Sequence, residues 1–331
     1  MTKTEGVAKP KDKVVHLFGG IWSGCCANFA LKRTALDNAS KFGLVVTRTV
    51  DKNFYVDDML KSVGSTDEAI WMQRQLTELL ACGGFNVTKW SSSSRKVLDS
   101  IPESERSKEV KNINIQDDTL PVERTLGLEW HIESDAFRFK VSKKEKPATR
   151  RGILSIISSI FDPLGFVAPF VLPAKRLLQS SCRLLGWDEE ISGQNLAYWN
   201  NWLVEMPKVE EIVVRRCIKV PDFGTSVGHE IHHFSDASET GYGAVSYLRT
   251  VHEDGEINTA FLFAKSRLAP LKRITIPRLE LTAATLAVKM DTMLKEELEI
   301  NLHKSVFWTD STSLLWYINI KDKRFHTFVA N

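Results

Sequence analysis

The sequence SDASETGYGAV, residues 235–245, is the turn around which the C-terminal part of this chain is organised. Apolar residues before and after it predict strands at 230–236 and 241–250, and a further strand is predicted at 257–265. Asp236 therefore lies at the end of an apolar strand, an unusual place for a charge.

A second acid lies in the stretch TIPRLELTAA, residues 275–284. Pro277 predicts the start of a helix over 277–298, and Glu280 falls in the predicted first turn. The apolar stripe of this helix is predicted to consist of Leu279, Ala283, Leu286, Met290 and Met293. Because Glu280 adjoins the stripe, we expect its side chain to face the sheet edge rather than open water.

A third acid, Asp310 in SVFWTDSTS, ends an apolar strand that is predicted at 304–310. Ser311 can cap the helix that is predicted at 311–320. The order strand, strand, strand, helix, strand, helix predicts a mixed α/β sheet domain.

Carboxylates at the ends of neighbouring strands, about 4.8 Å apart, repel one another unless cations lie between them. Two divalent metal ions about 3.5–4 Å apart remove that repulsion and can support an in-line phosphoryl displacement. Oxygen ligands favour Mg²⁺ or Mn²⁺ over zinc. For any one of the three acids alone, a helix cap or a solvated strand end is the alternative interpretation.

The segments SDASETGYGAV, IPRLELTAA and FWTDST together resemble the ribonuclease H domain of Pao/BEL-type long-terminal-repeat retrotransposons. The resemblance implies that Asp236, Glu280 and Asp310 are metal ligands and catalytic residues for hydrolysis of the RNA strand of an RNA–DNA hybrid. It also implies a fourth carboxylate further downstream and a last helix of the sheet domain. Because the sequence ends at FHTFVAN, we expect Asp322 not to replace that carboxylate and the domain to be incomplete.

A pair of adjacent aspartates lies in the N-terminal part of the chain, in NFYVDDMLKSVGS. The surrounding pattern predicts strands at 44–50 and 53–63, a helix at 66–82 capped by Thr66, and a strand at VTKW, residues 87–90. YVDD, residues 55–58, resembles the polymerase signature of a reverse transcriptase in a β-hairpin turn.

This second resemblance implies that Asp57 is the main metal ligand of a polymerase site and that Asp58 assists it, with a template-primer and deoxynucleotides as partners. Successive side chains of a strand point to opposite faces, so the two aspartates cannot serve one site equally. Ordinary turn chemistry is the alternative for an isolated Asp-Asp pair.

Three further segments are similar to parts of the same family. The first, HLFGGIWSGCCANFAL (16–31), resembles the strand and helix that precede the YVDD hairpin, with a strand predicted at 14–20 and a helix from Ser23. The second, RTLGLEWHIESDAFRFKVS (124–142), resembles the primer grip. The third, ILSIISSIFDPLGFVAPFVLPAKRLLQ (153–179), resembles the thumb and connection. A reverse transcriptase also needs an upstream metal-binding aspartate, and Asp12 has no apolar strand around it. We therefore expect a truncated palm that does not polymerise DNA.

Composition shifts divide the chain into three predicted domains of mixed α+β and α/β class. They are a partial reverse-transcriptase palm at 1–142, a helical thumb and connection at 143–209, and an incomplete ribonuclease H-like mixed sheet at 210–331. The basic, proline-containing stretch KVSKKEKPATRRG marks the first boundary.

Basic residues cluster in two places that could contact phosphates without sequence preference. The first cluster contains Lys143, Lys144, Lys146, Arg150 and Arg151, and the second contains Lys265, Arg267, Lys272, Arg273 and Arg278. A solvated loop is the alternative interpretation of each cluster.

The bulk properties set the remaining limits. With 44 basic and 41 acidic residues the net charge is +3, which does not by itself require a polyanionic partner. The five cysteines form no metal-binding pattern and are expected to be reduced thiols in an intracellular protein, cytoplasmic or within a virus-like particle. The apolar run at 161–174 is too short and too broken to span a membrane. The resemblance to Pao/BEL-type elements implies other domains of a pol polyprotein as partners.

Three functions from different classes remain open. The first is a polymerase and ribonuclease H fragment that binds hybrid and is weak or inactive in catalysis, and the second is a non-catalytic nucleic-acid-binding remnant. The third is an aspartic peptidase, which needs two carboxylates in Asp-Thr-Gly or Asp-Ser-Gly turns. The sequences after Asp236 and Asp310 lack that glycine, which disfavours the peptidase.

Overall fold

The computed structural model describes residues 21–111, 115, 118–125, 128–141, 145–218 and 226–320. The chain divides into two compact units between Pro121 and Val122. None of the helices in these ranges is long and apolar enough to cross a membrane. The hairpin that follows Val122 belongs to the second unit, whereas the domain boundaries expected at 142/143 and 209/210 stay predictions.

The first unit is mainly helical. Its elements are α1 Ser23–Asp37, α2 Ala39–Lys52, β1 Phe54–Tyr55, β2 Asp58–Met59, α3 Thr66–Ala81, α4 Arg95–Ser100 and α5 Lys108–Lys111. The first three helices enclose a core of Leu31, Ala35, Phe42, Val46, Val50, Met72, Leu76, Leu79 and Leu80. The predicted helix from Ser23 is present, but its buried positions are Leu31 and Ala35.

The strand predicted at 44–50 is wrong, because this segment is the second half of α2. Its run of β-branched residues favours a strand locally, but the chain is helical after a break at Gly43 (φ +81°), and Val46 and Val50, four residues apart on this helix, are both buried. The hydroxyl of Thr47 donates to the carbonyl of Gly43 at 2.9 Å, which accommodates a β-branched polar residue within the helix. Burial of the 3.6-residue stripe therefore outweighs strand propensity.

Two smaller predictions in the first unit also need correction. The predicted helix at 66–82 is present as α3, but Ser65 caps it, since its hydroxyl accepts the N–H of Glu68 at 3.2 Å. The stretch VTKW forms no strand and contributes only a bridge between Trp90 and Arg106.

The second unit begins with a small sheet and a helical block. Its elements are β3 Val122–Thr125, β4 Leu128–His131, β5 Ala136–Arg138, α6 Arg150–Ile157, α7 Ala168–Ser181, α8 Gly193–Glu205 and β6 Val213–Arg215. The four strands pair in the order β3-β4-β5-β6, all antiparallel. The helices pack on this sheet around Trp199 and Trp202, whose stacked rings have centroids 5.1 Å apart.

The larger sheet and its helix complete the unit. They comprise β7 Ser226–Ala237, β8 Gly241–His252, β9 Ile257–Leu268, α9 Ile276–Glu297, β10 Lys304–Trp308 and α10 Thr312–Asn319. The strand order is β10-β7-β8-β9; β10 is parallel to β7, whereas the other neighbours are antiparallel. This is the predicted mixed sheet, with the predicted elements in the predicted order.

Helix α9 lies across β7 and β8 and buries one side against them. The side chains buried on it are Leu279, Glu280, Ala283, Leu286, Ala287, Met290, Asp291 and Leu294. Met293 was predicted to belong to this stripe but is exposed, and Leu294 takes its place. The buried side therefore includes two carboxylates, Glu280 and Asp291.

A turn in the helical block clamps that block to the edge strand β9. The carboxylate of Asp162 accepts the backbone N–H groups of Gly165, Phe166 and Val167 at 2.8–2.9 Å, which orders the chain before α7. The same turn is hydrogen-bonded directly to the sheet, because the N–H of Ala264 on β9 donates to the carbonyl of Leu164 at 2.8 Å. Gly165 has φ +87°, and any Cβ there would overlap the carbonyl group of Ala264. Only glycine fits both the backbone angle and this close approach.

We predict that Gly165→Ala destabilises the second unit more than an ordinary substitution at a positive-φ glycine. A Cβ at positive φ costs about 1 kcal/mol, and forcing it against β9 adds a further ~1–3 kcal/mol. Urea denaturation, followed by tryptophan fluorescence, measures the free energy of unfolding.

The matched control is Gly255→Ala, because Gly255 has φ +85° and open space around its Cβ position. Equal losses in the two variants would show that the approach of Gly165 to Ala264 does not stabilise the unit.

Candidate metal centre

The parallel pairing of β7 with β10 brings two of the predicted acids to one edge of the sheet. Phe234 is the register partner of Trp308. Asp236 follows Phe234 by two residues, and Asp310 follows Trp308 by two residues. Parallel strands end at the same edge, and side chains two residues apart share a face, so the two carboxylates project side by side.

Helix α9 brings the third acid to the same edge. Strand β9 runs in the direction of β7, because both are antiparallel to β8, and therefore ends where β7 ends. The chain then enters α9 at Ile276. Glu280 is the fifth residue of the helix, so it lies just beyond the first turn rather than within it as predicted.

The three acids form a compact cluster. One carboxylate oxygen from each of Asp236, Glu280 and Asp310 lies within 4.8 Å of the other two. Asp236 and Asp310 are exposed, whereas Glu280 is 6% exposed. In the described part of the chain, no lysine or arginine forms an ion pair with any of the three. The cluster therefore concentrates negative charge without a protein counter-ion among those residues.

Of the three carboxylates, Glu280 is the one whose charged form is most clearly destabilised by its surroundings. Burial raises the pKa of its carboxyl, and repulsion by Asp236 and Asp310 raises it further, against a smaller opposing effect of the Ala237 N–H. Its Oε2 atom is buried and has no hydrogen-bond partner. A buried carboxylate oxygen without a donor is normally destabilising, and a cation would satisfy it. Three oxygen ligands with no nitrogen or sulfur fit a hard divalent cation such as Mg²⁺ or Mn²⁺.

The YVDD segment forms a tight hairpin in the first unit. Tyr55 pairs with Asp58, so Val56 and Asp57 form the turn. Val56 has φ +57°, a strained value for a β-branched residue. Asp57 and Asp58 are both exposed, Asp57 in the turn and Asp58 on β2. The structure thus places the two aspartates in different backbone positions, and their roles as metal ligands stay predictions.

Two arginines of the first basic cluster have contacts within the protein. The guanidinium of Arg150 donates to the carbonyl of Leu185 at 2.8 Å and lies over the ring of Trp187. Arg151 forms a two-pronged ion pair with Asp188 at 2.7 and 3.1 Å. These contacts fasten the start of α6 to the loop after α7, while phosphate binding by Lys146, Arg150, Arg151 and the exposed Arg278 stays a prediction.

Several predictions lie outside the described residues. They concern the strand at 14–20, Asp12, Lys143, Lys144 and Asp322.

Sequence reasoning missed a second group of polar residues under α9. Asp291 is buried and bonds to His233, which is fully buried on β7. A signal was present, since Asp291 follows the apolar positions Ala283 and Ala287 at intervals of four residues and should share their side of the helix. His232 and His233 are consecutive on β7, so their side chains lie on opposite faces of the sheet and only His233 faces α9.

Two of the solved structures that are similar to the chain contain a foamy viral protein. One is the foamy viral protease-reverse transcriptase dRH in complex with double-stranded DNA, with 10% identity, a TM-score of 0.44, and coverage of 90% of this chain and 45% of that chain. The other is the foamy viral protease-reverse transcriptase in complex with double-stranded DNA, with 12% identity, a TM-score of 0.43, and coverage of 94% and 55%. The chain thus spans about half the length of these structures. No curated protein matches it with significant similarity.

A protein-family model matches a part of the second unit. The model of the Pao retrotransposon-like RNaseH-like domain matches residues 149–311. The match begins at the cap of α6, continues through the helical block and the large sheet, and ends just after Asp310. Residues 149–311 therefore resemble the Pao retrotransposon-like RNaseH-like domain, and all three clustered carboxylates lie within the matched range.

Proposed function

We propose that the second unit binds divalent metal ions through Asp236, Glu280 and Asp310 and hydrolyses the RNA strand of an RNA–DNA hybrid. The observation that carries this proposal is the convergence of three carboxylates within 4.8 Å, with an unpartnered buried oxygen on Glu280. RNaseH-like domains generally use divalent metals, and the all-oxygen cluster fits Mg²⁺, with Mn²⁺ as a substitute.

The three carboxylates have different roles in this proposal, because two of them are exposed and one is buried. Bound divalent cations supply charge neutralisation and activation of water for in-line displacement at phosphorus. Asp236 and Asp310 project into solvent, where a phosphodiester can approach them. Glu280 lies beneath them and excludes water from the inner side of the cluster, since it is nearly fully buried. Because its surroundings raise the pKa of the Glu280 carboxyl, a proton competes with a cation for this position.

Basic residues next to the cluster support binding of a polyanion. Arg267 pairs with Tyr242 on β8, and Tyr242 pairs with Ala237 on β7, so the Arg267 side chain lies on the face of the sheet that α9 covers, at the edge where β7 ends. Lys265, two residues before Arg267, shares its face. Both side chains are exposed. We propose that these two residues contact the phosphates of the hybrid on one side of the cluster.

A second assignment concerns the first unit. The hairpin geometry, with a strained Val56 and two exposed aspartates, supports Asp57 and Asp58 as the acidic pair of a polymerase-type site that acts on a template-primer and deoxynucleotides. Strained backbone is found at functional sites more often than elsewhere. The expectation that this chain does not polymerise DNA remains a prediction.

Peptidase activity is a less suitable use of the cluster. An aspartic peptidase shares one proton between two carboxylates. Here a third, buried carboxylate joins the two exposed ones, and neither Asp236 nor Asp310 is followed by a glycine turn. Peptide cleavage that survives EDTA would favour the peptidase over the nuclease.

The first prediction concerns catalysis. We expect Mg²⁺-dependent cleavage of a labelled RNA–DNA hybrid by the wild-type chain, and a loss of at least about 100-fold in rate for Asp236→Asn and Asp310→Asn, because each removes a charged ligand. Denaturing electrophoresis of the labelled RNA strand measures the rate.

Glu253→Gln is the matched control, since it removes one negative charge from an exposed turn at the opposite end of the sheet. Hybrid binding without cleavage by the wild type would instead support the non-catalytic remnant.

The second prediction concerns stability without metal. We expect Glu280→Gln to raise the melting temperature of the metal-free protein by about 2–4 °C, the shift that corresponds to ~1 kcal/mol in a domain of this size. The folded state raises the pKa of Glu280, so its ionisation destabilises the fold, and the difference between variant and wild type grows as the pH rises above about 4.5. Differential scanning calorimetry in EDTA at several pH values measures it.

Glu297→Gln, on the exposed side of the same helix, should leave the melting temperature within about 1 °C of the wild type. A lower melting temperature for Glu280→Gln would mean that the Glu280 carboxylate stabilises the metal-free fold.

The third prediction concerns the basic residues of β9. We expect Lys265→Ala/Arg267→Ala to weaken hybrid binding and to reduce the slope of log affinity against log salt by about 1–2, because each phosphate contact contributes close to one unit. Fluorescence anisotropy of a labelled hybrid between 50 and 200 mM salt, with EDTA to prevent cleavage, measures the slope.

Lys289→Ala, an exposed charge removal on α9, serves as the control. An unchanged slope in the double variant would place the hybrid elsewhere.

A further inference from the structure

A second buried carboxylate lies on the same side of α9 as Glu280. Asp291 follows Glu280 by eleven residues, close to three full turns, which places it about 16 Å further along the helix. Its Oδ1 accepts from the Nε2 of His233 at 3.1 Å and from the hydroxyl of Ser305. Its Oδ2 accepts from the ammonium group of Lys295 at 2.8 Å.

The hydrogen bonds fix the tautomer of the neutral His233 ring. A carboxylate only accepts, so the Nε2 atom of His233 carries the proton and the Nδ1 atom of the neutral ring accepts from the hydroxyl of Ser246 at 2.8 Å. Burial lowers the pKa of His233, which outweighs the opposite effect of Asp291. Burial acts to raise the pKa of Asp291, but donation by Lys295, Ser305 and His233 keeps that pKa below its ordinary value. Every polar atom of the His233–Asp291 pair is therefore satisfied.

A nucleophilic site is not a suitable reading of this Ser–His–Asp arrangement. Both Ser246 and His233 have no exposed surface, so a substrate cannot reach the serine hydroxyl. The ring of Phe307 stacks on His233 with centroids 4.7 Å apart and closes the space further. The Ser246, His233 and Asp291 side chains therefore have a structural role, which depends on the elements that their hydrogen bonds connect.

The Asp291 network joins the three elements that carry the candidate metal ligands. His233 lies on β7, three residues before Asp236, and Ser305 lies on β10, five residues before Asp310. Asp291 itself lies on α9, the helix of Glu280. A slide or rotation of α9 on the sheet would move Glu280 relative to the two aspartates and would break these bonds at the same time.

We propose that Asp291 is a positioning residue that fixes α9 on β7 and β10 and thereby holds Glu280 against Asp236 and Asp310. Apolar contacts alone allow a helix to shift, since its stripe of alanine, leucine and methionine side chains can repack at low cost. A fully satisfied buried polar network permits one arrangement, because any other leaves a charge without donors. The catalytic consequence of this inference, though not the geometric one, rests on the proposed function.

The test uses Asp291→Asn, which preserves shape but removes the charge that three donors share. We expect Mn²⁺ binding, measured by isothermal titration calorimetry at 15 °C where the variant is folded, to weaken about tenfold, the usual effect of losing a residue that orients a ligand. The rate of hybrid cleavage should fall by a similar factor with an unchanged KM for the hybrid. Glu297→Gln on the same helix should change neither quantity.

His233 provides a graded pair of variants. His233→Gln retains an N–H that can donate to Asp291, so Mn²⁺ affinity should stay within about threefold of the wild type. His233→Phe has no donor and should resemble Asp291→Asn. If all three variants lower the melting temperature while Mn²⁺ affinity stays at the wild-type value, the network is merely structural and the proposal is overturned.

A crystal structure of metal-free Asp291→Asn separates this inference from the proposed function. We expect the Glu280 carboxylate to have moved away from those of Asp236 and Asp310, beyond the 4.8 Å of the wild type. If the carboxylates keep their wild-type separation, Asp291 does not position Glu280. If the wild type neither binds Mn²⁺ nor cleaves hybrid, the proposed function fails, and the crystal structure alone decides the positioning role.

Discussion

The parallel pairing of β7 with β10 is the constraint on which the candidate site depends. The two strands are hydrogen-bonded neighbours and end at the same edge of the sheet, so Asp236 and Asp310 lie side by side there. The sheet imposes this repulsion on the carboxylates, and Glu280 adds to it from the helix above. Since the cluster gains nothing in stability from its own charges, the rest of the domain has to hold it together.

The mixed sheet is predictable because its signals are local. Strand β8 alternates buried and less buried side chains, β9 contains a continuous apolar run at 260–264, short polar turns separate the strands, and α9 has a stripe with helical spacing. The site acids are detectable for a related reason: Asp236 and Asp310 interrupt otherwise apolar segments at their ends. The order of elements then brings those ends together, so sequence reasoning reaches the cluster without any knowledge of distances.

What the sequence did not reveal depends on partners distant in the chain. The β-branched residues of 44–50 favour a strand until the packing of Phe42, Val46 and Val50 against neighbouring helices is known. His233 and Asp291 are 58 residues apart, and no local pattern pairs them. The exposure of Met293 likewise follows from how far α9 is rotated on the sheet, which only the tertiary packing determines.

Helix α9 shows how surroundings, rather than residue type, determine the role of a buried carboxylate. Asp291 is supplied with three donors from three elements, and its pKa is lowered; Glu280, on the same side of the helix, has an unpartnered oxygen and two negative neighbours, and its pKa is raised. The hydrogen bonds of Asp291 hold α9 on the sheet. They therefore resist a shift of α9 that would move Glu280 away from the negative charges of Asp236 and Asp310. A helix anchored in this way can keep an unfavourable charge in place until a cation arrives, whereas a helix held only by apolar contacts could relieve the repulsion by shifting.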